Sequence, residues 1–345
     1  MRDEDYDRAK LLKKEVSSLR KCVNEAVCLG DPFNSSGSNK DLIEDRVKKG
    51  QACIISATSL CSEITMGVHE VQTLLLLYKS LFLQVLLYNS QAWCNLTKKE
   101  LTLLATIQLK FLKRIFHAPS STSNPVILLE TGVLPIKHEI NKRQLNYLHH
   151  ILTQEDNDPI KMVYNEELKY EDEPNWANEM KETRLKYEIH ENDDEIATFS
   201  KEKWKSYIKT KVLCSGLEEL NNEAETQKQG CKLGRYDKLA KQEYLINLKP
   251  QQARKLFHVR AGILDVKTVR KYWYKDDQTC RLCELCDEDV DHVVNRCKEI
   301  PRDVIVENVL TDNLEEMKIV ADRCILFASK VKELEEASDC ELVHQ

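Results

Sequence analysis

Glycine and proline are scarce in this chain: nine and eight among 345 residues. That shortage excludes collagen-like, Gly/Ser-linker and turn-rich all-β designs. No secretory leader is evident. The N-terminus reads MRDEDYDR, with no apolar stretch behind a basic start. No membrane span is expected either. The most apolar run, LLLLYKSLFLQVLLY at 74–88, is interrupted by Lys79, Ser80 and Gln84. A span needs about 20 apolar residues, so this run reads as a buried core helix. Gly-rich phosphate loops, G-x-S-x-G elbows and H-E-x-x-H helices are missing, and no other catalytic constellation stands out.

The 13 cysteines are odd in number and lack an export signal. Reduced thiols in an intracellular chain, in cytoplasm or nucleus, are therefore expected, most of them small buried apolar residues. Charged residues make up 31% and apolar residues 42%. Long periodic runs of Leu, Lys, Glu, Ile and Ala predict a mainly α fold, and the length predicts two or three compact units.

The net charge of −6 hides alternating blocks. Residues 98–150 hold 8 Lys/Arg against 3 Asp/Glu, and residues 151–196 hold 5 against 15. Residues 197–279 hold 18 against 10, and residues 280–345 hold 8 against 17. The basic blocks can track a phosphate backbone, or they can be solvated helix faces.

Along the chain, residues 1–39 read as a charged helix over 3–26 followed by a turn-rich hairpin, with Ser38 or Asn39 capping the next helix. Residues 40–153 read as a helical domain, with helices over 40–61 and about 68–93. Thr97 caps a helix over 98–116. Gly132 ends a short helix, and Pro135 starts another that runs to 153. Residues 154–199 are acidic and poor in apolar side chains, so a linker with one helix around Trp176 is expected. Residues 200–279 form a basic helical region with helices over 200–228 and 236–275, followed by a zinc module at 280–300. Residues 301–345 carry an amphipathic helix over about 303–337, a candidate protein-contact element.

The sharpest motif is Cys280-x2-Cys283-x8-His292-x4-Cys297. Two cysteines three apart present both sulfurs from one turn. A His and a Cys five apart close a tetrahedron from a helical turn or its end, and one Zn2+ is the expected occupant. Cys286 forms a second, overlapping C-x-x-C with Cys283 and is either a bystander or a substitute for Cys280. The loop between the ligands is acidic (Glu284, Asp287, Glu288, Asp289, Asp291), so the metal can be structural or can sit near nucleic acid. Tyr274-Lys275-Asp276-Asp277 matches the bare Y-x-D-D of polymerases. It lies between Lys271-Tyr-Trp273 and the zinc cysteines, without a following apolar strand or an identifiable third carboxylate. It is read as a decoy.

Three stretches together carry a resemblance. LLYNSQAW (86–93) is followed by QLKFLKRIFHAPSSTSNPVILLETGVLPIKHEINKRQLNYLHHIL (108–152), CLGDPFNSSGSNKDLIEDRVKKGQACI (28–54) precedes both, and the Cys/His segment closes the series. In order and spacing they resemble the region beyond the catalytic palm in non-LTR (LINE-type) retrotransposon reverse transcriptases. Those proteins have a YLG hairpin, an LLYGSE-W helix, an FLRRILG helix, an E-G-LPI element and a terminal Cys/His motif. The resemblance covers about 26–153 and 236–300 and departs at Cys28, where Tyr is usual, and at Asn89, where Gly is usual. It implies the end of a palm, a thumb, a linker and a zinc module, with the catalytic aspartates expected before residue 1 and hence no polymerase activity in this chain. It also implies residual binding of RNA or an RNA–DNA hybrid. The candidate phosphate contacts are Lys110, Lys113, Arg114, Lys142 and Arg143, with Arg254, Lys255, Arg260, Arg270 and Lys271 before the zinc. The alternative is a helical, zinc-stapled protein-interaction module with no nucleic-acid role. If the first five of these cations line one concave face, the nucleic-acid reading gains. If they scatter, the alternative does.

Overall fold

The computed structural model describes residues 25–28, 31–34, 38–65, 70–170, 174–270 and 277–343. Most of the charged helix expected over 3–26, Lys271 and Tyr274–Asp276 lie outside the described residues. Within them the fold is mainly helical, as the periodicity predicts. A hairpin of β1 (Glu25–Cys28) and β2 (Asp31–Asn34) pairs antiparallel, Glu25 opposite Asn34, and β2 lies against α1 (Lys40–Thr65). The Ser38 hydroxyl accepts the Lys40 N–H at 3.2 Å, at the start of α1.

The expected helix over 68–93 is broken. α2 (Glu70–Leu77) passes through a π-helical turn at Tyr78–Phe82 into α3 (Leu83–Leu86). The chain then reverses at Asn89, in the left-handed region at φ 58°. Asn tolerates that region better than most side chains. Tyr78 and Phe82 are fully buried against Phe111, with ring centroids 4.8 to 5.7 Å apart.

α4 (Lys98–Ile115) starts at a capping box: Thr97 Oγ1 accepts the Glu100 N–H, and the Glu100 carboxylate accepts the Thr97 N–H at 2.8 Å. Its buried stripe is Leu104, Ile107, Gln108, Phe111, Leu112 and Ile115. Phe111 takes the core position that simple 3–4 spacing assigns to Leu109. α5 (Asn124–Thr131) ends at Gly132, left-handed at φ 62°, and α6 (Ile136–Leu152) starts at Pro135. A Cβ on Gly132 would lie 2.3 Å from the Ala240 backbone, so the position is restricted in both conformation and space.

Residues 154–199 correct the linker expectation. They fold as α7 (Pro159–Glu167), α8 (Trp176–Lys186) and α9 (Asp193–Thr198). Tyr164, Trp176, Met180, Tyr187, Ile189 and Ile196 pack with α6 and with Trp204, Ile208 and Val212 of α10 (Lys201–Glu225) into a second core. Few apolar residues suffice because each anchor is large. Asp158, Asn175 and Asn192 cap the three helices with their own side chains.

Beyond α10, the helix expected over 236–275 reduces to α12 (Tyr244–Asn247) and α13 (Pro250–Arg260), after a short α11 (Lys228–Leu233). α14 runs Leu314–Val343, later than the expected start near 303. The Asn313 side chain accepts the N–H groups of Glu315 and Glu316 and fixes the start there. The first core is continuous from Leu42 in α1 to Val331 in α14 and takes in Cys280 and Cys297.

Two contacts join its halves. Phe116 stacks on Phe257 at 4.1 Å, and Arg254 and His258 of α13 bond the Ile115 and Phe116 carbonyls at 2.9 and 2.7 Å, closing the C-terminus of α4. Glu130, fully buried, accepts from Arg260 Nε at 2.8 Å, from the Tyr244 hydroxyl at 2.8 Å and from the Tyr236 hydroxyl.

Candidate metal centre and basic cleft

Cys280, Cys283, His292 and Cys297 come together with their ligand atoms all within 4.8 Å of one another. The local structure explains the spacing. An antiparallel bridge between Thr279 and Asp287 closes a tight loop that presents Cys280 and Cys283. Glu284 turns that loop at φ 54°. On the other side His292–Arg296 is a π-helical turn, in which Cys297 N–H donates to the His292 carbonyl at 2.7 Å. That five-residue closure returns Cys297 to the side of His292.

The donor set fits a tetrahedral metal. With Zn–S about 2.3 Å and Zn–N about 2.05 Å, a tetrahedron places two sulfurs about 3.8 Å apart and a sulfur and a nitrogen about 3.6 Å apart. Cys280 Sγ and Cys297 Sγ are 3.9 Å apart, and Cys283 Sγ is 3.4 Å from His292 Nε2. Backbone donors surround the sulfurs. The N–H groups of Cys283 and Leu282 point at Cys280, those of Leu285 and Lys298 at Cys283, and that of Glu299 at Cys297. Thiolate ligands need such donors.

Burial pushes Cys297 up to about 12 and Cys280 up as well. At Cys283 burial acts the same way, but the surrounding N–H groups and neighbouring thiols outweigh it and hold the thiol below its usual value. Burial also lowers His292, which keeps the ring neutral as a ligand must be. Cys286 stays outside the set, 3.2 Å from His292 Nδ1 on the opposite ring edge.

The module is anchored from within. Glu288, read from the sequence as part of an acidic loop, is fully buried and bonds the Arg281 guanidinium at 2.7 Å and the Lys267 N–H at 3.1 Å. Arg323 of α14 donates to the Val294 carbonyl at 2.9 Å and the Val304 carbonyl at 2.6 Å, holding the turn that carries His292. Arg296 offsets Asp289 and Asp291. Asp277, the last residue of the Y-x-D-D match, pairs with Lys267 at 2.7 Å, and that bond holds its carboxyl down at about 2.

The predicted phosphate contacts divide. Lys110, Lys113 and Arg114 line one cleft of about 1060 Å3, bounded by Ile55, Thr58 and Leu74 and closed by His117. Among the described residues neither Lys110 nor Arg114 forms a salt bridge. Lys113 donates to the Ser120 carbonyl at 2.6 Å, and burial lowers its pKa. A second cleft of about 880 Å3 is lined by Lys255 and Arg270, with Lys228, and shares His117 and Ala118 with the first.

The remaining candidates lie elsewhere. Lys142 pairs with Glu139 at 2.5 Å. Arg143 donates to the Leu87 carbonyl at 2.6 Å and the Leu83 carbonyl at 3.4 Å at the end of α3. Arg254 pairs with Glu70 at 2.8 Å, and Arg260 is buried on Glu130, so neither guanidinium is presented to a phosphate. Arg270 pairs with Asp265 at 2.9 Å but remains exposed. His117 and Lys228 were not singled out in the sequence. His117 joins the clefts from a left-handed position, φ 51°, that only the folded loop reveals.

Among the described residues no helix is long and apolar enough to cross a membrane. Comparison with protein-family models, curated proteins and solved structures returns no match.

Proposed function

We propose that this chain is a helical nucleic-acid-binding scaffold of the reverse-transcriptase thumb type, stapled by one zinc ion, with a binding rather than a catalytic role. The observation that carries the reading is the clustering of Lys110, Lys113, Arg114 and His117 along one open cleft. Exposed Ile55 and half-buried Leu109 beside these cations give a mixed apolar and cationic floor, suited to a strand whose phosphates and bases both need partners. Asn89 adds support. It stands where the resembled proteins have Gly, and it keeps the left-handed conformation such a position needs.

Fluorescence anisotropy with labelled RNA and an RNA–DNA hybrid over a salt series tests the reading. Log K should fall linearly with log salt, and Lys110→Ala with Arg114→Ala should shallow the slope by about 0.7–0.9 per lost phosphate contact. Binding that ignores salt and both substitutions overturns it.

A second reading, a protein-interaction module, draws on two exposed apolar side chains. Leu285, beside acidic Glu284 in the zinc module, is 59% exposed, and Ile305, in the segment that follows the module, is 77% exposed. It predicts that Ile305→Asp abolishes partner capture while the salt-dependent binding of RNA is absent.

A further inference from the structure

The Cys286 side chain is outside the ligand set, yet its placement is specific. Its backbone carbonyl accepts the Cys280 N–H at 2.9 Å, which ties it to the loop carrying Cys280 and Cys283. Its sulfur lies 3.2 Å from Nδ1 of His292, which stands on the other half of the site. One residue thus touches both halves of the metal centre.

The chemistry of imidazole gives that contact a role. A neutral ring carries one N–H and one lone pair, and a metal takes the lone pair. The ring nitrogen in contact with a sulfur of the ligand set is Nε2, 3.4 Å from Cys283 Sγ. The proton of the metal-binding tautomer must therefore sit on Nδ1, where the Cys286 sulfur is placed to accept it. Metal-bound histidines ordinarily give that hydrogen bond to a carboxylate, a carbonyl or water. The nearby carboxylates are used differently: Asp289 Oδ1 accepts the His292 backbone N–H at 2.6 Å, while Asp291 accepts from the Asn295 side chain at 2.8 Å and pairs with Arg296 at 3.0 Å.

We infer that Cys286 is a positioning residue for the metal centre: its sulfur accepts the His292 Nδ1 hydrogen bond and so fixes the tautomer and ring angle that direct Nε2 at Zn2+. The overlapping C-x-x-C pairs then divide the work. Cys280 and Cys283 bind, and Cys286 orients. The inference rests on the four-residue centre described above.

The test uses the full chain and its Cys286→Ala and Cys286→Ser variants. Zinc affinity is measured by competition with a chromophoric chelator. The Co2+-loaded forms report the number of bound thiolates through their sulfur-to-metal charge-transfer intensity. Long-range 1H–15N spectra of the zinc-loaded chain report the His292 tautomer. The expected result is a 10- to 100-fold loss of zinc affinity in Cys286→Ala and substantial recovery in Cys286→Ser, whose hydroxyl is again an acceptor. Charge-transfer intensity should be equal in all three proteins, and the parent should hold His292 protonated on Nδ1.

Cys286→Ala binding zinc as tightly as the parent overturns the inference, as does loss of one thiolate's intensity, which would make Cys286 a ligand. Should Cys286→Ala fail to fold, the parent's tautomer decides, and a proton on Nε2 refutes the assignment. A parent chain that takes up no zinc at all would instead remove the metal centre on which the inference stands.

Discussion

Replacing Arg260 by Met removes the one cation that, among the described residues, bonds the fully buried carboxylate of Glu130. Glu130 would keep the Tyr236 and Tyr244 hydroxyls as donors, but its charge would stay buried without a counter-charge. Burial also opposes the charge on Arg260, yet Glu130 and the two phenols hold the guanidinium firmly protonated. Breaking such a pair from one side costs about 3–5 kcal/mol. Melting entropy is about 2.1 cal/mol/K per residue, so 345 residues give about 0.7 kcal/mol/K, and Tm should fall by about 4–7 °C. Glu130→Leu should cost a similar amount. The double variant Glu130→Leu/Arg260→Met should lose much less than the sum, because the second change removes the stranded charge. Calorimetry on the four proteins, with urea melts as a check, measures the coupling. A double variant as unstable as both single losses added together, or an Arg260→Met protein melting with the parent, refutes the reasoning.

In the zinc-loaded chain, alkylation read by mass mapping should modify exposed Cys286 while Cys280, Cys283 and Cys297 are protected. Chelation should expose all four and lower Tm, and equal labelling with and without zinc would remove the metal centre. Trp176→Ala should cost about 3–5 kcal/mol, since Trp176 packs on Tyr147 and Tyr164 and its indole N–H donates to the Gln91 carbonyl at 3.0 Å. A negligible change in urea midpoint would show that 154–199 does not belong to the core. Acidification should destabilise the fold. His138 and His258 lie below 6.5, chiefly through burial, so the unfolded chain takes up protons first and stability drops as pH falls below about 6.5. Glu219 is pulled down to about 2 by His138 and Lys137 against the effect of its own burial, so a further loss follows as pH falls from 4.5 towards 2. Urea midpoints that stay flat from pH 7.5 to 5 would contradict the histidine assignment.

Signals carried by neighbouring residues were legible before the fold. Thr97, Gly132, Pro135 and the Cys/His spacing all act within a few positions, and each took its expected place. What depends on distant partners was not. The π-helical turn at Tyr78–Phe82 serves contact with Phe111, and nothing in 68–93 announces it. Arg143, Arg254 and Arg260 look like surface cations in the sequence. Their partners are carbonyls and carboxylates 56 to 184 residues away, which no local pattern records. The acidic stretch misled for a related reason: low average hydrophobicity hides a few large anchors such as Trp176 and Tyr187. Asn313 was the missed local cue, a capping side chain that sets where α14 begins.

The clasp between α13 and the end of α4 sets a limit on how this chain can be shortened. A version stopping after α6 would leave the Ile115 and Phe116 carbonyls without Arg254 and His258 and would bare the Phe116 ring. A version starting at α10 would strand Arg260 without Glu130. Neither piece is a module that recombination could move intact, and co-expressed halves should regain solubility only by reassembling with each other.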